Sequence, residues 1–392
     1  MRRLKTSRML SAVVTAAALA SVGAGPSGPV ATAATQPGTL TSDAPVTVMA
    51  SGLYEPRGLA WGPEGHLVVT ETGAPPPVCR QTGPPAYPTV CFGLTGSVAD
   101  VSSGTPVRIV TGLASNLDFE EMKGPHGVAY VDGQLYVVEG ASPQIVPSSL
   151  PKDLRAAGKE QYGALLNVTG GSISVVANPG KVDYQWSAEH VYLAPNDFPS
   201  AQPYALTAKP GGGFYVVDAA SNTLDSVDQR GKVRVLAFIP NTPAGPDSVP
   251  TCVDVGPDGA VYVGELTGDR SSETAASVYR YEPSSGSLAV WQSGFSAISG
   301  CGFGANGDFY VTEFDTTGFL PVGTPYGAVV QISPDGTRTV LGEGKLFAPN
   351  GFLAGPDGSI YVANKSMMWP PCHVAPTCPG IVIDGGEVVK IG

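Results

Sequence analysis

The chain has 392 residues and a formal net charge of −11, with only 14% charged residues. That acidic balance argues against nucleic acid and against anionic membrane surfaces. With 42% hydrophobic residues, 51 Gly and 37 Pro, the composition excludes a disordered chain and reads as an all-β protein rich in turns.

The N-terminus comes first. Arg2, Arg3, Lys5 and Arg8 precede an apolar run from Met9 to Val22, and the small residues "ATAA" follow at 31–34. This predicts a secretory signal over residues 1–34, with an apolar run too short for an ordinary membrane span. Its loss takes the net charge from −11 to −15, because four basic residues go and no acids. Residues 35–44 read as a short linker. No later stretch approaches 18 uninterrupted apolar residues, so a secreted, extracellular protein with no membrane span is expected, and a monomer.

From Val46 onward one unit recurs. "PRGLAWGPEGHLVVTET" begins at Pro56, "PHGVAYVDGQLYVVEG" at Pro125 and "PYALTAKPGGGFYVVDA" at Pro203. "PTCVDVGPDGAVYVGEL" begins at Pro250, "ISGCGFGANGDFYVTEF" at Ile298 and "PNGFLAGPDGSIYVANKS" at Pro349. Each copy predicts two strands joined by a turn with Gly where φ turns positive. The second strand is rich in Val, Tyr and Phe, which suit a pleated, buried surface. A second strand pair, such as "GAVVQISPDGTRTVLGEG", follows each copy. Four strands per unit of roughly 45 residues is the grammar of a propeller blade. The sixth unit ends at "GEVVKIG", one strand short, while "PVTVMASGL" at 45–53 matches "PVRIVTGL" at 106–113. The sequence therefore predicts an all-β, closed six-bladed β-propeller over residues 45–392, with the N-terminal strand completing the last blade. Closure removes exposed sheet edges.

The repeated units resemble NHL-type and TolB-like six-bladed propellers. The export signal and the opening "VMASGLYEPRGLAWGPEGHLVVTETG" are similar to the ScyD/ScyE family, over nearly all of residues 45–392. The resemblance implies the fold and no particular reaction.

The long insertions, at 72–96, 114–124, 140–162, 177–202, 240–249, 314–326 and 365–383, all fall in connections of one face. Loops on a rigid scaffold are where binding groups concentrate. The middle residue of each Pro-x-Gly, at the start of each inner strand, points toward the channel mouth: Arg57, His126, Tyr204, Thr251, Ser299 and Asn350. Arg57 and Tyr204 there, with Trp186, His190, Trp369 and His373 on the insertions, are candidate ligand contacts. Loops also need small hydrophobic clusters of their own, and composition does not choose between the two readings.

"PNGF" looks like a motif of metal-dependent propeller lactonases, which implies a divalent cation such as calcium near Asn350. Arg57 departs from that pattern, because a guanidinium stands where a carboxylate is expected. A second ring, Glu71, Glu139, Asp218, Glu265, Glu313 and Asn364, ends each second strand. It offers Glu71 as a cation ligand, or else carboxylates that accept backbone N–H groups of adjoining loops. His126 with Glu139 is the candidate acid–base pair, and otherwise an ordinary hydrogen-bonded pair at a blade junction. No nucleophile elbow, zinc-protease helix or phosphate loop is present.

Six cysteines in an exported chain suggest disulfides. Cys79 and Cys91 flank the first insertion, and Cys372 and Cys378 flank part of the last. Cys252 and Cys301 lie on inner strands of consecutive units. The expected pairs are 79–91, 252–301 and 372–378. The functional expectation is a module that binds a small-molecule or extended ligand, or a partner, on the insertion-bearing face. The alternatives are a metal-dependent hydrolase or lyase at the channel mouth, and a structural interaction domain.

Overall fold

A computed structural model describes residues 39–81, 89–117, 121–242, 247–268, 271–319, 325–367 and 384–392. Residues 1–34, expected to be a signal, and Trp369, His373, Cys372 and Cys378 lie outside the described residues.

The described chain is mostly β, arranged in six antiparallel sheets with two short helices. The first strand of each recurring unit is Pro56–Trp61, Pro125–Val131, Pro203–Ala208, Pro250–Val255, Ile298–Phe303 or Asn350–Ala354. Each pairs with a short, buried second strand. In the sixth sheet the order runs Asn350–Ala354, Ile360–Asn364, Gly386–Ile391 and then Val46–Leu53, with Val46 opposite Ile391 and Leu53 opposite Gly386.

Hydrophobic burial ties each sheet to the next. Val68, Val98 and Val110 of the first sheet pack with Val128, Val137 and Leu166 of the second. Further clusters join the second to the third, the third to the fourth, the fourth to the fifth and the fifth to the sixth. Another joins the sixth to the first, through Ala50, Leu53, Tyr361 and Val388 against Leu59, Val69 and Ala99. Trp61 donates its indole N–H to Ala354 O at 2.7 Å across the same boundary. Non-directional burial between sheet faces is the main stabilising term here.

The first sheet is larger than a four-stranded unit. Its third and fourth strands, Thr89–Asp100 and Val107–Leu117, run on past the repeat, and the strands Val78–Gln81 and Met122–Lys123 add to them. The insertions at 140–162 and 177–202 carry helices α1 (Lys152–Gln161) and α2 (Pro179–Glu189). The side chain of Asn178 caps α2 by accepting from Lys181 N at 2.7 Å, and Pro179 opens it, a favoured N-terminal arrangement.

Candidate functional site at the inner-strand bulges

Every inner strand carries a register break at its start, between Pro56 and Leu59, Pro125 and Val128, Pro203 and Ala205, Pro250 and Cys252, Ile298 and Gly300, and Asn350 and Leu353. Such bulges re-aim a side chain, and proline is tolerated at a strand's first residue because its missing N–H is not needed there. Glycine follows the re-aimed residue where neighbouring backbones nearly touch. A Cβ on Gly58 would stand 2.6 Å from His126 O, and one on Gly351 (φ +64°) 2.5 Å from Arg57 O.

The six re-aimed residues, Arg57, His126, Tyr204, Thr251, Ser299 and Asn350, line one cavity of about 90 Å³. Thr251 and Ser299 are spent on the framework, donating to Ile298 O at 2.5 Å and Pro349 O at 2.7 Å. Asn350 Nδ2 donates to Tyr204 Oη at 2.7 Å, which leaves the phenol proton free to donate elsewhere. The Arg57 Nη2 group reaches Glu55 Oε2 at 3.3 Å and Met122 O at 3.5 Å, while its Nε has no hydrogen-bond partner. His126 is 1% exposed, packs edge-on to Tyr204 with ring centroids 4.4 Å apart, and has neither ring nitrogen bonded. Burial, followed by the positive charges of Arg57 and Lys123, holds the His126 pKa well below the ordinary histidine range. Its imidazole is therefore neutral at pH 7, one nitrogen donating and one accepting.

The strand-end ring is mostly occupied. Glu71 accepts from Tyr54 N at 2.8 Å, Ser97 Oγ at 2.6 Å and Arg108 Nη2 at 2.8 Å. Asp218 accepts from the backbone of Gln202, Ala220 and Ser221. Glu313 accepts from Ser296 N at 2.9 Å, and Asn364 from Phe347 N at 2.7 Å. Glu139 differs, since both its oxygens are buried without a partner, and burial raises its pKa well above the usual range. No hydrogen bond joins it to His126. A Cβ on the adjacent Gly140 would lie 3.2 Å from His126 Nε2.

Burial also raises the pKa of Glu265 and of Glu313 to about 7 from 4.5. A carboxyl raised on folding contributes stability that is complete below about 4.5 and is lost as pH climbs through about 7. Each contributes roughly 3 kcal/mol across that window, at 1.36 kcal/mol per unit. The melting temperature is expected to fall from pH 5 to pH 8, and less steeply in Glu265→Gln. Scanning calorimetry that finds a flat or rising profile refutes this.

Trp186 and His190 stand apart from the cavity lining. They stack on each other at 4.1 Å at the end of α2, beside Phe198 and Phe238. Asn350 lines the cavity, whereas Glu71 does not, and Arg108 neutralises it. Among the described residues no group of three or more His, Cys, Asp or Glu is arranged to hold a metal ion. The cavity set of one guanidinium, one neutral imidazole, one phenol and one amide does not fit a divalent cation, which wants several oxygen ligands. Cys79–Cys91 and Cys252–Cys301 are bonded, the second across two neighbouring inner strands in the cavity wall. Asp183 and Asp225, which no sequence motif marks, are wholly buried.

No family model matches the sequence, and no curated protein matches it. Solved structures do match. A gluconolactonase from Xanthomonas campestris aligns with TM-score 0.52 at 9% identity, covering 90% of each chain. Regucalcin, a calcium-binding protein from Agrobacterium tumefaciens, aligns at 0.49 and 12%, covering 88% of this chain and 92% of that one. Virginiamycin B lyase from Staphylococcus aureus aligns at 0.45 and 14%, covering 82% of each. These are β-propeller proteins. At such identities the likeness is one of fold alone.

Proposed function

We propose that the chain is an exported, closed six-bladed β-propeller of the ScyD/ScyE kind, formed by residues 45–392 once residues 1–34 are removed. It binds a small ligand at the mouth of its central channel through an acceptor oxygen of that ligand. The observation that carries this is the surplus of unspent donors. The Arg57 Nε–H, one His126 N–H and the Tyr204 O–H, on three residues of one cavity lining, are unspent, beside acceptors on His126 and Asn350. Buried polar groups without partners cost about 1–3 kcal/mol each, and a carboxylate or carbonyl oxygen removes that cost. Glu55 already offsets the Arg57 charge, so neutral esters and carboxylates both suit the pocket. About 90 Å³ admits a carboxylate-sized head, and the rest of the ligand lies outward among the insertions.

The test is a titration with sodium acetate and sodium gluconate, against sodium chloride, read by melting temperature. Saturable stabilisation is expected for the organic anions, with at least tenfold weaker affinity in Tyr204→Phe and in His126→Ala. No saturable effect on the parent protein, or equal affinity in both variants, overturns the reading.

A neutral, unbonded imidazole in such a cavity also favours a second reading, a hydrolase or lyase with His126 as general base. Under that reading His126→Ala abolishes turnover of an ester or lactone while Tyr204→Phe only weakens binding.

A further inference from the structure

Helix α2 packs on three strands of the third sheet, Phe214–Asp218, Thr223–Val227 and Val233–Phe238. Asp183 lies on its inner side and is 0% exposed, as is Asp225 on the sheet. Asp225 is out of character for its position. It pairs with Val216, two residues before the strand-end carboxylate. The partners of the equivalent valines are Ala99, Leu166, Tyr279, Val330 and Val389. Five sheets fill this place with an apolar or aromatic side chain, and one with an acid.

All four oxygens of Asp183 and Asp225 lack a hydrogen-bond donor, although the two carboxyls are within hydrogen-bonding reach of each other. The third nearby acid, Asp218, is saturated by backbone N–H groups. The Thr223 hydroxyl is the remaining polar neighbour. Among the described residues the basic side chains of these elements, Lys181 on α2 and Arg234 on the strand Val233–Phe238, are exposed. Two carboxylates cannot both be charged at contact in a dry interior. We propose that Asp183 and Asp225 share a proton, and that this bond is a latch holding α2 on the third sheet until rising pH removes it. Burial first, then mutual repulsion and Asp218, raise the Asp183 pKa well above the usual range; burial does the same for Asp225. A shared proton stabilises docking below the pair's titration and is lost above it. The released element carries the Trp186–His190 stack, so the latch sets the shape of one insertion.

Hydrogen–deuterium exchange of the intact protein in EDTA, from pH 5 to 9 and corrected for intrinsic rates, tests this. The 179–189 peptide is expected to lose at least tenfold more protection as pH rises than the 360–364 peptide, which carries no acid and reports only the global fall in stability. Asp225→Asn supplies a permanent donor and should keep α2 protected throughout, as should Asp183→Leu with Asp225→Val. Protection that is independent of pH in the parent, or an unchanged pH response in both variants, overturns the latch. So does restored protection at pH 8 on adding calcium chloride, which makes the pair a cation site.

Discussion

Deleting residues 39–53 is expected to leave a chain that no longer melts cooperatively. The strand Val46–Leu53 pairs with Gly386–Ile391 along its length, and Gly392 N donates to Pro45 O at 3.0 Å. Ala50 and Leu53 are 2% and 0% exposed, within the cluster joining the sixth sheet to the first. Truncating one such leucine to alanine typically costs about 2–5 kcal/mol, and whole domains hold only about 5–15. Loss of the entire strand also strips one of two partners from Gly386–Ile391, which keeps Ile360–Asn364, and leaves an open sheet edge. Leu53→Ala should fold but lose about 3 kcal/mol. Near-ultraviolet circular dichroism and thermal melts of both variants decide the matter. A truncated chain that melts within a few degrees of the parent means that the pairing of Val46–Leu53 with Gly386–Ile391 contributes little, and that the sheets are held together elsewhere.

The repeat was legible because its determinants are local. Alternating Val and Tyr, a Gly-ended turn and an opening proline act over a few residues, and six copies reinforce one another. The six residues at the cavity were legible for the same reason, as a fixed place in that grammar. Their chemistry was not. The Tyr204–Asn350 bond joins residues 146 apart, and the vacant Arg57 Nε depends on where Glu55 and Met122 lie. Glu71 read as a cation ligand because its neutralising partner, Arg108, is 37 residues away on another strand. Helix α2 had its local marks in Asn178 and Pro179, hidden inside a segment classed as an insertion. Asp225 stands out only when the sheets are aligned by strand register, which requires the pairing itself.

The Cys252→Ala, Cys301→Ala double variant should be less stable by about 4 kcal/mol, from the loop-closure entropy of a 49-residue separation. The bond ties Pro250–Val255 to Ile298–Phe303, two inner strands that no backbone ladder connects. Cys252 stands where other inner strands carry Gly58, Gly127, Gly300 and Gly351. The close approach that forces glycine elsewhere here brings two sulfurs together, and a Cβ on Gly264 would sit 2.5 Å from Cys252 Sγ. Cys79–Cys91 closes only 12 residues, between directly opposed residues of an insertion hairpin. Its removal is expected to cost about 3 kcal/mol at most in the same treatment, and to loosen that hairpin rather than the packing of the sheets. Denaturant melts of the two double variants should therefore rank them, with Cys252/Cys301 the weaker. The reverse ranking would show that neighbouring sheets are held by side-chain burial alone and that the inner bond adds no constraint. Because both sulfurs lie in the cavity wall, the same variant should also loosen the site, and weaker gluconate binding than in the Cys79/Cys91 variant is the second readout.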